Sequence, residues 1–198
     1  MKVHEILHRL QLEQQIKKQL KQIQQKEKKI KTGFYISGPS GCGKTHFITS
    51  ILKALNYTIL KYSCIGIKHS LLLDNIEEER FFSKNVDDFF QIKKKKHIAI
   101  IIDDIHYSYT QDKKYFLQIV DTLKKKMKKT PLYIPFFFIG FIDVNKQLKT
   151  ILQISEEYKM RKILEYQIKQ LFSHYHISDY TEKDLKIINL FIFDKYFF

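Results

Sequence analysis

The stretch GFYISGPSGCGKTHF, residues 33–47, carries the pattern G-x-x-x-x-G-K-[ST] at Gly38, Gly43, Lys44 and Thr45. A short apolar run, FYIS, precedes the glycines, and Ile48, Ile51, Leu52 and Leu55 follow at helical spacing. A glycine-rich loop between a strand and a helix is the expected form of a phosphate cradle. The backbone curls so that successive N–H groups face inward, and the helix start adds free N–H groups and a positive dipole end. Lys44 would bring charge to the β- and γ-phosphates, and the Thr45 hydroxyl would ligate Mg2+. Gly41 adds backbone freedom, while Pro39, Ser40 and Cys42 complete the loop, with Cys42 read as a small loop residue. The expected ligand is ATP with Mg2+.

A second acidic site fits this loop. The run IAIIIDD, residues 98–104, is apolar throughout until it ends on two acids, as a strand buried on both faces would. Asp103 is placed to reach the metal through water, and Asp104 to polarise an attacking water. Between Lys44 and Asp103 lie a helix, a full strand at Tyr57–Tyr62 and a further helical region. That leaves room for a strand between the cradle strand and the acidic strand, an arrangement associated with an added acid that activates water.

The rest of the chain reads as alternating strands and helices, then helices alone. Residues 3–31 are expected as one helix with a narrow stripe of Leu12, Ile16, Leu20 and Ile23, ended by Gly33. Helical stretches are expected at Ser70–Glu79 and Val86–Ile92, and a helix over residues 112–129 that Pro131 stops. YIPFFFIG, residues 133–140, reads as a fourth strand. Pro135 within it argues for an edge or a bulge, because proline cannot donate to a ladder. After Gly140 the stripe Leu164, Ile168, Leu171, Phe172 and Tyr175 predicts a helix, and Thr181 with Asp184 predicts the cap of another.

Composition bounds the partners. The 198 residues are 44% hydrophobic and 28% charged, a globular balance. Lys and Arg number 35 against 21 acids, a net charge of +14, which favours an anionic partner such as DNA. Almost all of these cations are lysine, and AT-rich coding would raise lysine in the same way. Lysine runs at 93–96 and 124–129, with Tyr107, Tyr109 and Tyr115 nearby, read either as solvated surface or as a face that tracks phosphates. Cys42 and Cys64 lack metal-ligand spacing, and His97 and His106 read as structural. The N-terminus is too polar for a signal peptide and no apolar run spans a bilayer, so a soluble intracellular protein is expected, nuclear, cytoplasmic or in a viral factory.

Taken in order, GFYISGPSGCGKTHF, AIIIDDIH and PFFFIGFIDVNKQLKTIL resemble the AAA+ ATPases, and within them the clamp-loader group of replication factor C-like proteins, versions of which large eukaryotic DNA viruses also encode. YKMRKILEYQIKQLFSHYHIS resembles the segment that enters the lid, with Ile163, Gln167 and Ile168 at the matching positions, and YTEKDLKIINLFIFD resembles the next lid helix. The resemblance implies a three-layer α/β P-loop NTPase of AAA+ type with a mostly parallel sheet, followed by a small helical lid. It implies an N-terminal helix at 1–32, a core at 33–155 and a partial lid at 156–198. It also implies ATP–Mg2+ between subunits, DNA and a sliding clamp as partners, and other AAA+ subunits in a hetero-oligomer.

Several positions depart from that family. The acidic pair is Asp103-Asp104 where the family has Asp-Glu, and the shorter side chain draws back from its water. A misplacement of about 1 Å can cost roughly 100-fold. The polar residue after the fourth strand aligns near Phe141, with Asp143 and Asn145 as substitutes only in a shifted loop. Gln153–Ser155 aligns where the family supplies an arginine finger, a group worth about 10³–10⁵ in rate, and the role does not carry over to Arg161. The lid arginine falls near Lys195 or Tyr196, and the sequence ends before the family's collar domain. The expectation is a weak or partner-dependent ATPase. The alternatives are a subunit that holds ATP without turnover, a nucleic-acid-binding adaptor, and a P-loop kinase for a small substrate.

Overall fold

A computed structural model of the chain describes residues 3–27, 30–63, 97–105, 113–129, 133–141 and 146–185. Its elements are α1 (Val3–Ile6), α2 (Leu10–Gln24), β1 (Gly33–Ser37), α3 (Lys44–Ala54), β2 (Tyr57–Ser63) and β3 (His97–Asp103), then α4 (Lys113–Lys129), β4 (Phe136–Gly140), α5 (Lys146–Ile154), β5 (Ser155–Lys159) and α6 (Glu165–His174). The five strands form one sheet in the order β2-β3-β4-β1-β5, and every pairing is parallel.

The pleat divides the apolar runs between two cores. Phe34, Ile36, Ala99, Ile101, Phe137 and Ile139 face α2 and α3, where they meet Ile16, Leu20, Phe47, Ile48 and Ile51. Tyr35, Ile100, Ile102, Phe136 and Phe138 face the other way, onto Val120, Leu123 and Ile151 of α4 and α5. Burial on both faces is why β1, β3 and β4 read as continuous apolar runs rather than as alternation. A smaller cluster of Ile163, Ile168 and Leu185, with Leu7 and Phe172 against it, forms the base of the helical segment.

Five expectations change. The helix expected over 3–31 breaks at His8, whose φ of 51° no α-helix accommodates, and α2 ends at Gln24. The break lets the halves pack on different partners: Leu7 joins the helical cluster, while Ile16, Leu20 and Ile23 join the sheet. Gly33 then opens β1 rather than ending a helix. The strand inserted between β1 and β3 is β4, not β2, which lies at the sheet's edge.

Pro135 also loses its difficulty, because it precedes β4. Its carbonyl accepts from the Ile100 N–H at 3.0 Å, and the missing donor falls outside the ladder. Finally, the chain beyond Gly140 is not helical alone, since Ser155–Lys159 forms β5 beside β1. This strand has one neighbour and a half-exposed pattern, so SEEYK carries no apolar run. It lies across the expected boundary at 155/156, and the sheet continues to Lys159.

Other expectations stand where the structure describes them. The helix at 112–129 forms as α4, and α6 covers the stripe around Ile168, although Leu164 and Tyr175 at its ends are exposed. Thr181 and Asp184 cap each other reciprocally, with Thr181 N donating to Asp184 Oδ2 at 2.7 Å and Asp184 N donating to Thr181 Oγ1 at 3.2 Å. The expected helices at 70–79 and 86–92, the lysines at 93–96, and His106, Tyr107, Tyr109, Asp143, Asn145, Lys195 and Tyr196 lie outside the described residues.

Phe137 is fully buried at the middle of the sheet, with its ring stacked on Phe34 at 4.5 Å. Phe137→Ala should lower the unfolding free energy by about 3–5 kcal/mol in urea titration.

Candidate nucleotide site

The ends of β1, β3 and β4 converge on one edge of the sheet, the usual place for a ligand in a parallel α/β fold. The loop after Ser37 runs directly into α3. Gly43, the residue before the helix, has φ of 80°, a left-handed conformation that glycine adopts without strain. At Gly38 the constraint is space: a Cβ there would lie 2.6 Å from the Met160 carbonyl oxygen. Lys44 Nζ curls over the loop and donates to the carbonyls of Gly38 at 2.9 Å and Pro39 at 2.7 Å. Burial pulls the Lys44 pKa below the ordinary lysine value, against the opposing charges of Cys42, Asp103 and Asp104.

Thr45, in the first turn of α3, and Asp103, at the end of β3, meet although β1 and β3 are not neighbours. The Thr45 hydroxyl donates to Asp103 Oδ2 at 2.8 Å. The same oxygen is 3.0 Å from Lys61 Nζ, which reaches over from β2. Asp103 Oδ1 accepts the N–H of Asp104 at 3.0 Å. Asp104 itself has φ of 57°, uncommon for a non-glycine residue and worth noting beside a candidate site. Burial raises its pKa first, and the neighbouring Asp103 raises it further; Lys61, Lys44 and a hydrogen bond with Ser63 pull it back.

These groups surround a cavity of about 400 Å3 that Ser40, Gly41, Gly43, Lys44, Thr45, Asp103, Asp104, Gly140 and Phe141 all line. Phe141 sits where a polar residue was sought, and Lys44 Nζ lies 5.3 Å from its ring centre. The Phe141 carbonyl is held by the Tyr35 hydroxyl. Cys42 does not face the cavity; it is buried behind the loop, and burial raises its thiol pKa. Of the more distant positions, Gln153 accepts from Lys124 on the surface, Ser155 is buried against Ile151, and Arg161 lines a separate, larger cleft.

That cleft, about 700 Å3, lies between the α1–α2 turn and the segment after β5, with His8, Arg9 and Leu10 on one wall and Met160, Arg161 and Gln167 on the other. Both walls touch the loop: Met160 N donates to Ser37 O at 2.7 Å, and Arg9 Nη2 donates to Cys42 O at 2.5 Å.

The donor set suits a phosphate-bound Mg2+. Thr45 and Asp103 offer hard oxygens side by side, and Mg2+ typically takes one or two protein oxygens and completes its shell with phosphates and water. Among the described residues, no group of three or more His, Cys, Asp or Glu side chains could hold a metal unaided.

Sequence reading located the loop and both acids but passed over Lys61, Ser63 and Arg9. Lys61 and Ser63 belong to an edge strand whose register against β3 sets them beside the acids, with Ser63 opposite Asp103, and no local pattern signals this. Arg9 did carry a signal: it is one of only three arginines, at positions 9, 80 and 161, in a chain with 35 basic residues.

Comparison with known proteins agrees with this geometry. The model of the ATPase family associated with various cellular activities (AAA) matches residues 34–165. No curated protein matches the chain. Among solved structures, C. elegans PCH-2 superposes with a TM-score of 0.54 at 11% identity, over 92% of this chain and 52% of that one. The chain thus spans about half the length of that protein, and the likeness is one of fold. Among the described residues no helix is long and apolar enough to cross a membrane.

The raised pKa of Asp104 has a testable sign. The unfolded chain ionises this carboxyl first, so the folded form loses stability as pH rises from the ordinary carboxylate value through the raised one. Above both, the loss is complete. Asp104→Asn should therefore match the parent protein in acid and exceed it in Tm at neutral pH, in chelator and without nucleotide.

Proposed function

The chain belongs to the AAA family of ATPases, and we propose that it binds ATP–Mg2+ in the Gly38–Thr45 loop and turns it over slowly unless a partner completes the site. One observation carries the reading: Thr45 and Asp103 meet at 2.8 Å across an intervening strand, with Asp104 beside them in the same cavity. Inward-facing N–H groups of the loop and the start of α3 would receive the phosphates, with Lys44 exchanging its loop carbonyls for phosphate oxygens. Thr45 and Asp103 would hold Mg2+, which neutralises phosphate charge when bound. The base would enter the cleft between Arg9 and Met160, whose walls both meet the loop.

Asp104 would orient and deprotonate the attacking water. A carboxylate whose pKa is raised by burial is the better proton acceptor. Its side chain is a methylene short of the usual acid, and Phe141 supplies no polar group near the terminal phosphate. Both features support slow turnover. The strand between β1 and β3 favours water activation over transfer to a small substrate, which weakens the kinase reading.

In the wider role, residues after Lys159 would serve as a partial helical lid, and the chain would act as a clamp-loader-like subunit on DNA beside other AAA+ subunits. The net charge of +14 and the segment at Ile163, Gln167 and Ile168 support this role. A subunit that only holds ATP is the second reading, favoured by the aromatic ring of Phe141 beside Lys44.

In a titration with ATP and Mg2+, Lys44→Ala should weaken binding by about 10- to 100-fold, the worth of one charge-assisted contact. In multi-turnover assays Asp104→Glu should raise the rate by up to roughly 100-fold, the cost of about 1 Å of misplacement. Failure of the parent protein to bind ATP would overturn the reading. Binding without turnover in either form, with DNA and with candidate subunits, would establish the holder. A monomer under all conditions, by sedimentation with ATP and with DNA, would remove the clamp-loader role.

A further inference from the structure

Among the described residues, Arg9 is a buried ion whose charge the proposed chemistry does not use. It stands at the junction of α1 and α2, only 7% exposed, with its guanidinium against the outer side of the phosphate loop. Nη2 donates to the Cys42 carbonyl at 2.5 Å, Nη1 lies 3.6 Å from where a Cβ on Gly43 would be, and the group lies over the Phe47 ring at 5.8 Å. Among the described residues no carboxylate comes within ion-pairing distance of it. Burial opposes its charge and holds its pKa below the ordinary guanidinium value.

A buried cation without a carboxylate is costly unless some other anion compensates it. Here the contact is with a phosphate loop, and its geometry has a consequence. In a trans peptide the C=O and N–H lie in one plane and point in opposite directions. With the Cys42 carbonyl held on Arg9, the Gly43 N–H must point away from the guanidinium, and Gly43 lines the cavity. The left-handed Gly43 alone leaves that peptide free to rotate; the guanidinium removes the freedom.

We propose that Arg9 is a positioning residue for nucleotide, holding the Cys42–Gly43 peptide with its N–H facing the phosphates and taking the nucleotide's polyphosphate, across the loop, as its counter-charge. The inference rests on the ATP-binding reading. It also gives the break at His8 a purpose, because only a turned chain brings Arg9 down onto the loop while α1 packs on the helical segment. There Gln167 Nε2 donates to Ile6 O at 3.0 Å, and Leu7 joins Ile163 and Ile168.

The test compares the parent protein, Arg9→Met, Arg9→Lys and Lys44→Ala by thermal unfolding and by titration with ATP and with adenosine. Methionine keeps the bulk and removes the buried charge. Without nucleotide, Arg9→Met should unfold at the same Tm as the parent or higher. With ATP its Tm rise should shrink and its Kd should weaken about tenfold or more, the worth of a hydrogen bond to a charged group. Adenosine affinity should fall by a clearly smaller factor than ATP affinity, since Arg9 also lines the cleft proposed for the base, and Arg9→Lys, which keeps the charge and can still donate to the carbonyl, should recover part of the loss. A lower Tm for Arg9→Met without nucleotide, with an unaltered ATP-induced rise, would show a purely structural role and overturn the proposal. So would equal loss of ATP and adenosine binding. If the parent itself fails to bind ATP, and Lys44→Ala does not differ from it, the site reading falls and takes this inference with it.

Discussion

The candidate site depends on two strands that do not touch. β1 delivers the phosphate loop and β3 delivers the two acids, while β4 lies between them, paired in parallel with both. Parallel pairing brings all three C-terminal ends to one edge, and the width of one strand leaves a gap there. The Thr45–Asp103 hydrogen bond spans the gap at its base, and the cavity occupies the rest. The residue after β4 must then point between loop and acids. That is why Phe141 lines the cavity together with the loop and the acids.

Charge at this edge is balanced by neighbours rather than by solvent. Asp103 is held by Thr45, by Lys61 and by the Asp104 N–H. Asp104 is the strained member: it sits in a left-handed conformation, partly buried, beside another acid. On the other side of the loop, Lys44 and Arg9 supply positive charge from two directions, one inside the cavity and one behind it. A loop of backbone N–H groups framed by two cations and two acids is suited to an anion that arrives with its own metal.

The pattern of what could be read in the chain follows from range. β1, β3 and β4 announce themselves because strands buried on both faces are apolar over most of their length, as FYI, IAIII and FFFI are. β5 was missed because an edge strand with one exposed face has no such requirement, and SEEYK looks like a surface turn. The N-terminal helix was read as continuous because its stripe is continuous in type; nothing in LHRL states that His8 turns back. The Thr181–Asp184 cap was legible because both partners lie within one turn.

The sequence alone determined the local pattern, a glycine-rich loop before a helix and an acid pair at the end of a strand, because such a turn and such a buried strand demand particular residue types at fixed spacings. Tertiary structure decided everything that depends on neighbours. It chose β4 rather than β2 as the inserted strand, set Phe141 beside Lys44, brought Lys61 to Asp103, and carried Arg9 across 33 residues to the Cys42 carbonyl. Those pairings are set by which faces bury against which. Such long-range packing choices leave no spacing in the chain to read.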